Sequence, residues 1–593
     1  MTRRIAAILP LVALGLALFL RNRGGWADPL IDFGRELYLP WRINEGEALY
    51  RDIAYLDGPF SPYWNALAFR IGGVSVSTLE WANLGVVAAA AALFHALLRR
   101  IGGWLPAWVG VAAFLSIFAF NLIGRGGNMN WIAPYSHGIT HGIAWALLAL
   151  WFLGRHLASR RAVELAGVGL ALGMALLTKP EVGAAAGLAV GVGFLAGGPR
   201  SAKPFVLLAG CTAFPAILAT TLLALEMPLS TALTGTLGGW AHLAGSDVSD
   251  LHFYQWVMGL DRPERSLRLM GQQGMLWALV LVPSFAVALS LKTPGRKREG
   301  VGAAVASMLL LLTGASWAAL DWGEFIRPLA PCAALFAAFA ANAAWRARAS
   351  VDAPRAALQL AFATFSLALL LKVLFQPVLW GYSFALAAPA LLTMVLALVH
   401  GIPAFIDRRG GFGWMFRSAS LALIAIACAG CLVQSEGMRA AKTVAIGRGN
   451  DRMVADERLG AAKMMSRLVP WVERNLPADA SLVVMPEGVG LNYWTRRPNP
   501  TPHLNFVPPE VVIFGEAEML ADLRAAPPDY VALVHRDTRE YLLPLFGIDY
   551  GRGLRDWVHA DYELMTRVGA APLRPDRLED GRTGFEVWER RSR

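Results

Sequence analysis

A chain of 593 residues in which 56% are hydrophobic and only 16% are charged is not an ordinary soluble protein, which carries about 25% charged residues. The net charge of +11 does not point to nucleic acid. Its basic residues are scattered in small clusters between apolar runs, as the positive-inside rule places them. The cysteines Cys211, Cys332, Cys428 and Cys431 all fall in apolar segments and form no disulfide framework. The Cys428-x-x-Cys431 spacing reads as small packing residues in a membrane helix rather than as a redox pair.

A bilayer core takes roughly 20 apolar residues per helix. Such runs begin near Ile5, Ala82, Trp104, Ile139, Ala162, Val182, Pro204, Met275, Val301, Phe325, Ala356, Tyr382 and Ser418, and stop at about Gln434. They predict an α-helical polytopic membrane protein with about thirteen transmembrane helices. The first run is followed by Arg21, Asn22 and Arg23 rather than a small-residue cleavage site, so it reads as an uncleaved span. Basic clusters occupy alternate loops: Arg99-Arg100, Arg155 with Arg160-Arg161, Arg200 with Lys203, Arg296-Lys297-Arg298, Arg346 with Arg348, and Arg408-Arg409. That pattern predicts a bacterial-type inner membrane protein, N-terminus inside and C-terminus outside.

Three outer loops follow from this topology, at 21–80, 124–138 and 226–274, the last expected to hold amphipathic surface helices. The remaining tail, 435–593, reads as an extracytoplasmic α/β domain beyond the membrane domain 1–434. Its expected helices are 456–475 and 517–525, and its expected strands 481–485, 530–534 and 585–589. Pro498, Pro500, Pro502, Pro508 and Pro509 mark an extended loop within it. The chain has no Gly-x-x-x-x-Gly-Lys-Ser/Thr phosphate loop and no His-Glu-x-x-His zinc motif. Short cytoplasmic loops leave no room for a nucleotide-binding domain, which directs any chemistry to the outer face.

Loop 21–80 is the richest in chemistry. It contains Asp32-Phe-Gly-Arg-Glu36, Trp41-Arg-Ile-Asn-Glu-Gly46, Leu49-Tyr-Arg-Asp52, Asp57-Gly-Pro59 and Pro62-Tyr-Trp64. An acidic residue, then a Gly-x-x-x-Tyr-Arg-Asp-like stretch, then a proline–aromatic entry to the next helix resembles the GT-C superfamily of membrane glycosyltransferases. Protein O-mannosyltransferases and the lipid A aminoarabinose transferase belong to it. The resemblance covers roughly residues 1–331 and the layout of many helices followed by an outer domain. It implies transfer of a sugar from a polyprenyl-phosphate-linked donor to an outer-face acceptor (lipid, glycan or protein), with inversion. The alternatives are a transporter or flippase of a lipid-linked glycan and a non-catalytic GT-C-like scaffold binding envelope components. No repeated halves of the kind transporters show are visible.

The same resemblance makes Asp32 the general base, against the plainer reading of a helix N-cap. Glu36 lies one helical turn on. It is a candidate to bind acceptor or raise the Asp32 pKa, or to pair simply with Arg35 or Arg51. Tyr50, Arg51 and Asp57 are further substrate-binding candidates. The second loop offers Tyr135, His137 and His141 for sugar or phosphate. The two histidines are spaced i, i+4, but a third metal ligand is not apparent and Asn128 and Asn130 stand where some relatives carry an acidic residue. No metal or other cofactor is expected. Thr178-Lys-Pro-Glu181 resembles a lysine element associated with the lipid phosphate, the alternative being a snorkelling Lys179 paired with Glu181. Arg327, in Asp321-Trp-Gly-Glu-Phe-Ile-Arg327-Pro, resembles an arginine element and is expected to share that phosphate, unless it pairs with Asp321 or Glu324. The loop aromatics read mainly as an interfacial belt.

Overall fold

A computed structural model describes residues 2–124, 127–198, 201–245, 250–290, 320–570 and 583–592. Among these residues eight helices are long and apolar enough to cross a membrane. They are Val76–Gly102, His137–Ser159, Pro180–Gly197, Lys203–Leu223, His252–Ser290, Ala353–Val373, Ser383–Arg408 and Gly413–Ala440. Shorter apolar helices are Ile8–Arg21, Trp104–Ala119 and Ala162–Thr178. The chain is thus a polytopic helical membrane protein with a C-terminal sheet region. The span expected from Val301 lies outside the described residues.

Local chemistry sets the helix ends. Ser75 caps Val76–Gly102 by accepting the Thr78 N–H, and Gly103 at φ 90° ends it. The glycines of Ala162–Thr178 let that helix lie directly against Lys203–Leu223. A Cβ at Gly169 or Gly173 would collide with Cys211, Thr212 and Pro215. Close packing through small residues is how helices associate where lipid offers no hydrophobic drive.

The first outer loop is built rather than open: it folds into the helices Phe33–Asn44 and Phe60–Gly72. In the third, Leu229–Gly245 and His252–Met258 are helical, and the long helix Pro263–Ser290 begins inside the stretch expected to be loop. The helix Gly413–Ala440 runs straight into the C-terminal region, called the outer region for the side of the membrane on which it is expected. There β1 (Lys442–Ile446) and β2 (Met453–Asp456) form an antiparallel pair. A four-stranded mixed sheet follows, in the order β3 (Leu482–Met485), β4 (Tyr530–Val534), β6 (Gly584–Arg590), β5 (Tyr562–Gly569). β3 and β4 are parallel, with Leu482 opposite Tyr530, and the other pairs are antiparallel.

Three expectations need correction here. The helix expected from Asp456 begins at Gly460, because Asp456 ends β2. Pro508 and Pro509 open the helix Pro508–Phe514 rather than extending a loop, since proline suits the first helical turn. The strands β1, β2 and β5 were not expected at all.

Successive strand residues point to opposite faces. Val483, Met485, Val531 and Leu533 face Leu523, Leu554 and Trp557 of the domain's own helices. Leu482, Val484, Ala532 and Val534 join instead the core that is continuous with the first outer loop and the membrane helices. The outer region is therefore docked on the loop. Val454 N–H donates to the Gly24 carbonyl at 2.7 Å, and Ala54 N–H to that of Pro502 at 3.0 Å. Asn499 N–H donates to the Tyr38 hydroxyl at 2.9 Å. A Cβ on Gly34 would collide with the Gly490 backbone, so the helix bearing Asp32 and Glu36 packs directly on the outer region.

Candidate active site

The route into the site is fixed by a clasp between the first two outer loops. Asn128 accepts the Asp28 N–H at 2.8 Å and donates to the Ile31 carbonyl at 2.9 Å, while Asn130 donates to the Trp26 carbonyl at 2.9 Å. One carboxylate oxygen of Asp28 accepts the N–H groups of Leu30 and Ile31, each at 2.8 Å. Burial pushes Asp28 up to about 6 despite those two bonds. The chain then turns into the helix Phe33–Asn44 with Asp32 at φ 59°, ψ −54°, a backbone region that non-glycine residues rarely occupy. Asp32 stands at the N-cap position, yet its side chain makes no capping bond. The carboxylate is left available for other work.

The outer region holds Asp32 there. Asp32 N–H donates to Glu487 Oε1 at 3.2 Å, and Arg536 Nε donates to Glu487 Oε2 at 2.8 Å. Arg536 also reaches Glu540 at 2.6 Å. Burial, then the Glu487 carboxylate, pushes Asp32 up to about 7, opposed by Arg35 and Arg536 and assisted by Glu510. Asp32 nonetheless keeps partial exposure as a residue.

A pair of lysines lies close by in the fold, held by Asp57 and Glu181. Pro180 keeps the residue before it out of the helical region, so Lys179 is extended at φ −149° between Ala162–Thr178 and Pro180–Gly197. Its stem passes Gly138 and Gly142, where a Cβ would lie 3.5 Å from the lysine. Its ammonium donates to both oxygens of Asp57, at 2.8 and 2.7 Å, and lies 4.0 Å from Glu181. Asp57 arrives there because Gly58 packs on the end of the preceding helix. Any Cβ at that glycine would overlap the Leu177 carbonyl. Glu181 receives a second ammonium, Lys372 Nζ at 2.5 Å, which in turn lies 5.3 Å from the Tyr382 ring centroid. Tyr382 stacks on Tyr135 at 4.4 Å. The charges of Lys179, Glu181, Asp57 and Asp32 all reach Tyr135, so Asp32 and Lys179 share the surroundings of one buried tyrosine.

Glu36 sits beside this group, 1% exposed. Its Oε1 lies 3.9 Å from Arg35 and its Oε2 3.7 Å from His137 Nδ1. Burial pushes Glu36 up to about 7, opposed by Arg35 and reinforced by Asp57. It does not pair with Arg51.

Of the residues expected at the site, the structure brings together Asp32, Glu36, Asp57, Tyr135, Lys179 and Glu181. Arg327 takes a different place: its guanidinium is buried against Glu324, the nearest carboxylate in its own turn. The cation that shares a carboxylate with Lys179 is Lys372. Arg51 is surface-bound, paired with Asp52 and donating to the Glu226 carbonyl at 2.7 Å. Tyr50 donates to the Asp57 carbonyl at 2.7 Å and packs on Gly235, so it braces the loop. His137 and His141 have all four ring nitrogens engaged. Asn65 and Asn83 hold His137 at 2.6 and 3.2 Å, and Ser61 and Asn83 hold His141 at 2.9 and 3.3 Å. Among the described residues no group of three or more His, Cys, Asp or Glu could hold a metal ion.

Sequence reasoning missed Lys372, Glu487, Glu510 and Arg536. Glu487 and Arg536 each follow by two residues the carboxyl end of a parallel strand, β3 and β4, where open α/β sheets place their ligand-facing loops. Lys372 is a lone ionisable side chain at the end of an apolar run, itself a functional signal.

No protein-family model and no curated protein matches the chain. Solved structures with a similar arrangement are those of GT-C superfamily proteins. The apo ArnT of Cupriavidus metallidurans aligns over 99% of this chain and 98% of its own, at 14% identity and TM-score 0.47. The same protein bound to undecaprenyl phosphate aligns over 98% and 97%, at 13% identity and TM-score 0.47. The oligosaccharyltransferase of Archaeoglobus fulgidus, in complex with zinc and sulfate, aligns over 89% of this chain and 68% of its own, at 14% identity and TM-score 0.48. Likeness at this level concerns arrangement; the chemistry has to be argued from the site itself.

Proposed function

We propose that this protein is a membrane glycosyltransferase that moves a sugar from a polyprenyl-phosphate-linked donor to an acceptor hydroxyl at the outer face of the membrane, with inversion. In this reading the N-terminus is cytoplasmic and the C-terminal domain 435–593 extracytoplasmic. The observation that carries it is Asp32: a recessed, uncapped carboxylate held near a pKa of about 7 by burial and Glu487, in one charged neighbourhood with a lysine pair at helix ends.

A base that takes a proton from a hydroxyl works best with a pKa near the operating pH. The leaving group, a lipid phosphate, is an anion and needs cations rather than an acid. Its tail stays in hydrocarbon, so its phosphate reaches protein where spans end, the position of Lys179 and Lys372. Donor phosphate would take the lysines from Asp57 and Glu181; Asp32 would take the proton of the acceptor hydroxyl as its oxygen attacks the anomeric carbon from the opposite side, and the bond from that carbon to the phosphate oxygen would break to release the lipid phosphate. Arg35, between Asp32 and Glu36, would steady the ionised base. The test uses purified protein in nanodiscs with a panel of polyprenyl-phosphate sugars and envelope extract as acceptor. Asp32→Asn is expected to lower transfer about 10²–10⁴-fold while carrier binding persists. Transfer by that variant at the wild-type rate would sink the assignment of Asp32 as base, and carrier binding without transfer by the wild-type protein would make a flippase the better reading.

A further inference from the structure

Among the described residues, four buried polar atoms on two adjoining segments find no hydrogen-bond partner: Arg35 Nε, Glu36 Oε1, Tyr135 Oη and Ser136 Oγ. Glu36 and Ser136 are each 1% exposed and Tyr135 7%. Buried polar groups are nearly always satisfied, and an orphan calls for a specific explanation. Four together are not scattered packing defects. Arg35 and Glu36 are neighbours on the helix Phe33–Asn44, and Glu36 Oε2 lies 3.7 Å from His137 Nδ1. Tyr135 and Ser136 immediately precede that histidine. A Cβ at Gly138 would lie 3.4 Å from Ser136 Oγ and 3.5 Å from the Lys179 stem. The fields of Asp32 and Lys179 both reach Tyr135, and those of Asp32 and Asp57 reach Arg35. The orphans therefore sit among base and lysine pair, where the sugar of a lipid-phosphate donor would have to be held.

We infer that these four side chains form the subsite for the donor sugar, and that this sugar is an uncharged, hydroxyl-bearing one. The inference rests on the donor reading above and adds the class of sugar. The atoms are chemically mixed. Arg35 Nε only donates, a Glu36 carboxylate accepts, and the Tyr135 and Ser136 hydroxyls do either. Sugar hydroxyls also do either and satisfy such a set. An ammonium on the sugar only donates. It would leave Arg35 Nε unanswered and stand against a guanidinium. A carboxylate on the sugar would meet Asp32, Glu36 and Asp57. The cations at hand would be occupied once donor is bound: Arg35 lies near Glu36, and Lys179 and Lys372, paired with Asp57 and Glu181 in the free protein, would turn to the phosphate. Glu36, pushed up to about 7 by burial first, is present in both protonation states near neutrality and can accept from or donate to a hydroxyl.

The test measures binding of four short-chain probes to the full-length protein in nanodiscs. They are polyprenyl methyl phosphate, which has the diester charge and no sugar, and the polyprenyl phosphodiesters of glucose, glucuronate and unacetylated glucosamine. The glucose conjugate is expected to bind at least about tenfold more tightly than the methyl diester, from several hydrogen bonds each worth roughly two- to tenfold. The two charged conjugates are expected to gain nothing. Glu36→Gln, Tyr135→Phe and Ser136→Ala should each reduce the glucose gain about two- to tenfold. Methyl diester binding in the same preparation shows that each variant is folded. Methyl diester binding with no gain from glucose, a larger gain from either charged sugar, or variants that keep the full gain would each overturn the subsite. Failure of wild-type protein to bind any of the diesters would overturn the donor reading itself.

Discussion

Asp32 acts as a base only when ionised, and its pKa stands at about 7 against an ordinary 3.8. The active fraction therefore rises with pH, and kcat/KM should climb through an acid limb with a midpoint near pH 7. Glu487 is the largest charge holding that value up. Glu487→Gln keeps an oxygen for the Asp32 N–H but removes the charge, so the limb should move to lower pH. A pH–rate profile unchanged by the substitution would break the coupling. The phosphate seat makes a second comparison. Lys372→Ala should weaken carrier binding about tenfold, the order expected for a charge-assisted bond. Arg327→Ala should leave carrier binding intact and instead lower thermal stability, by up to about 3 kcal/mol, because its partner Glu324 loses a buried cation. Equal effects of the two on binding would restore Arg327 to the seat. Asp32, Glu36, Asp57 and Lys179 were legible in the sequence because they crowd short motifs beside apolar spans. Lys372 was not, since a single lysine ending an apolar run looks like any snorkelling residue, and Arg327 misled because its local carboxylate was equally close in sequence.

The element that aims the lysine is a turn against a helix end. Gly58 lies where a Cβ would overlap the Leu177 carbonyl, so Gly58→Ala must push the Asp57–Pro59 turn off that end and pull Asp57 from Lys179. The expected result is about 1–3 kcal/mol of lost stability together with altered carrier binding. Gly85→Ala is the control, on a long span with open space around its position. It should be neutral or slightly stabilising, since glycine costs a helix about 0.5–1 kcal/mol relative to alanine. Thermal unfolding of both variants checks this, and a fully stable Gly58→Ala would contradict the close approach. At this scale the spans were readable from apolar length. β3 and β4 were expected near their places as alternating strands, but they are buried along their whole length, as strands covered on both faces are. β5 was not expected, because Glu563, Leu564 and Met565 are exposed in succession on both faces, so its apolar residues mark no buried side. β1 and β2 are short and flank a glycine turn that resembles a helix approach.

Across the whole molecule the site is shared between halves that are remote in sequence. Asp32 and Glu487, 455 residues apart, meet through a backbone hydrogen bond. The lysines come from the membrane helices, and Glu510 and Arg536 from the outer region. No periodicity or motif records such a pairing, so residues 435–593 were expected as a separate domain, and their part in the site was not foreseen. In the proposed orientation a cysteine at Asp479 should react with an impermeant reagent in intact cells and one at Arg160 should not; the reverse would move the site to the wrong compartment. The most direct test of the account is where a donor sits. The protein in nanodiscs, saturated with a polyprenyl phosphonate glucoside that cannot be cleaved at the anomeric position, is imaged by electron cryomicroscopy. The phosphonate is predicted between Lys179 and Lys372, with the sugar against Glu36 and Tyr135 and its anomeric carbon facing the recess of Asp32. A phosphonate held at Arg327, or a donor bound away from both lysines, would contradict the account.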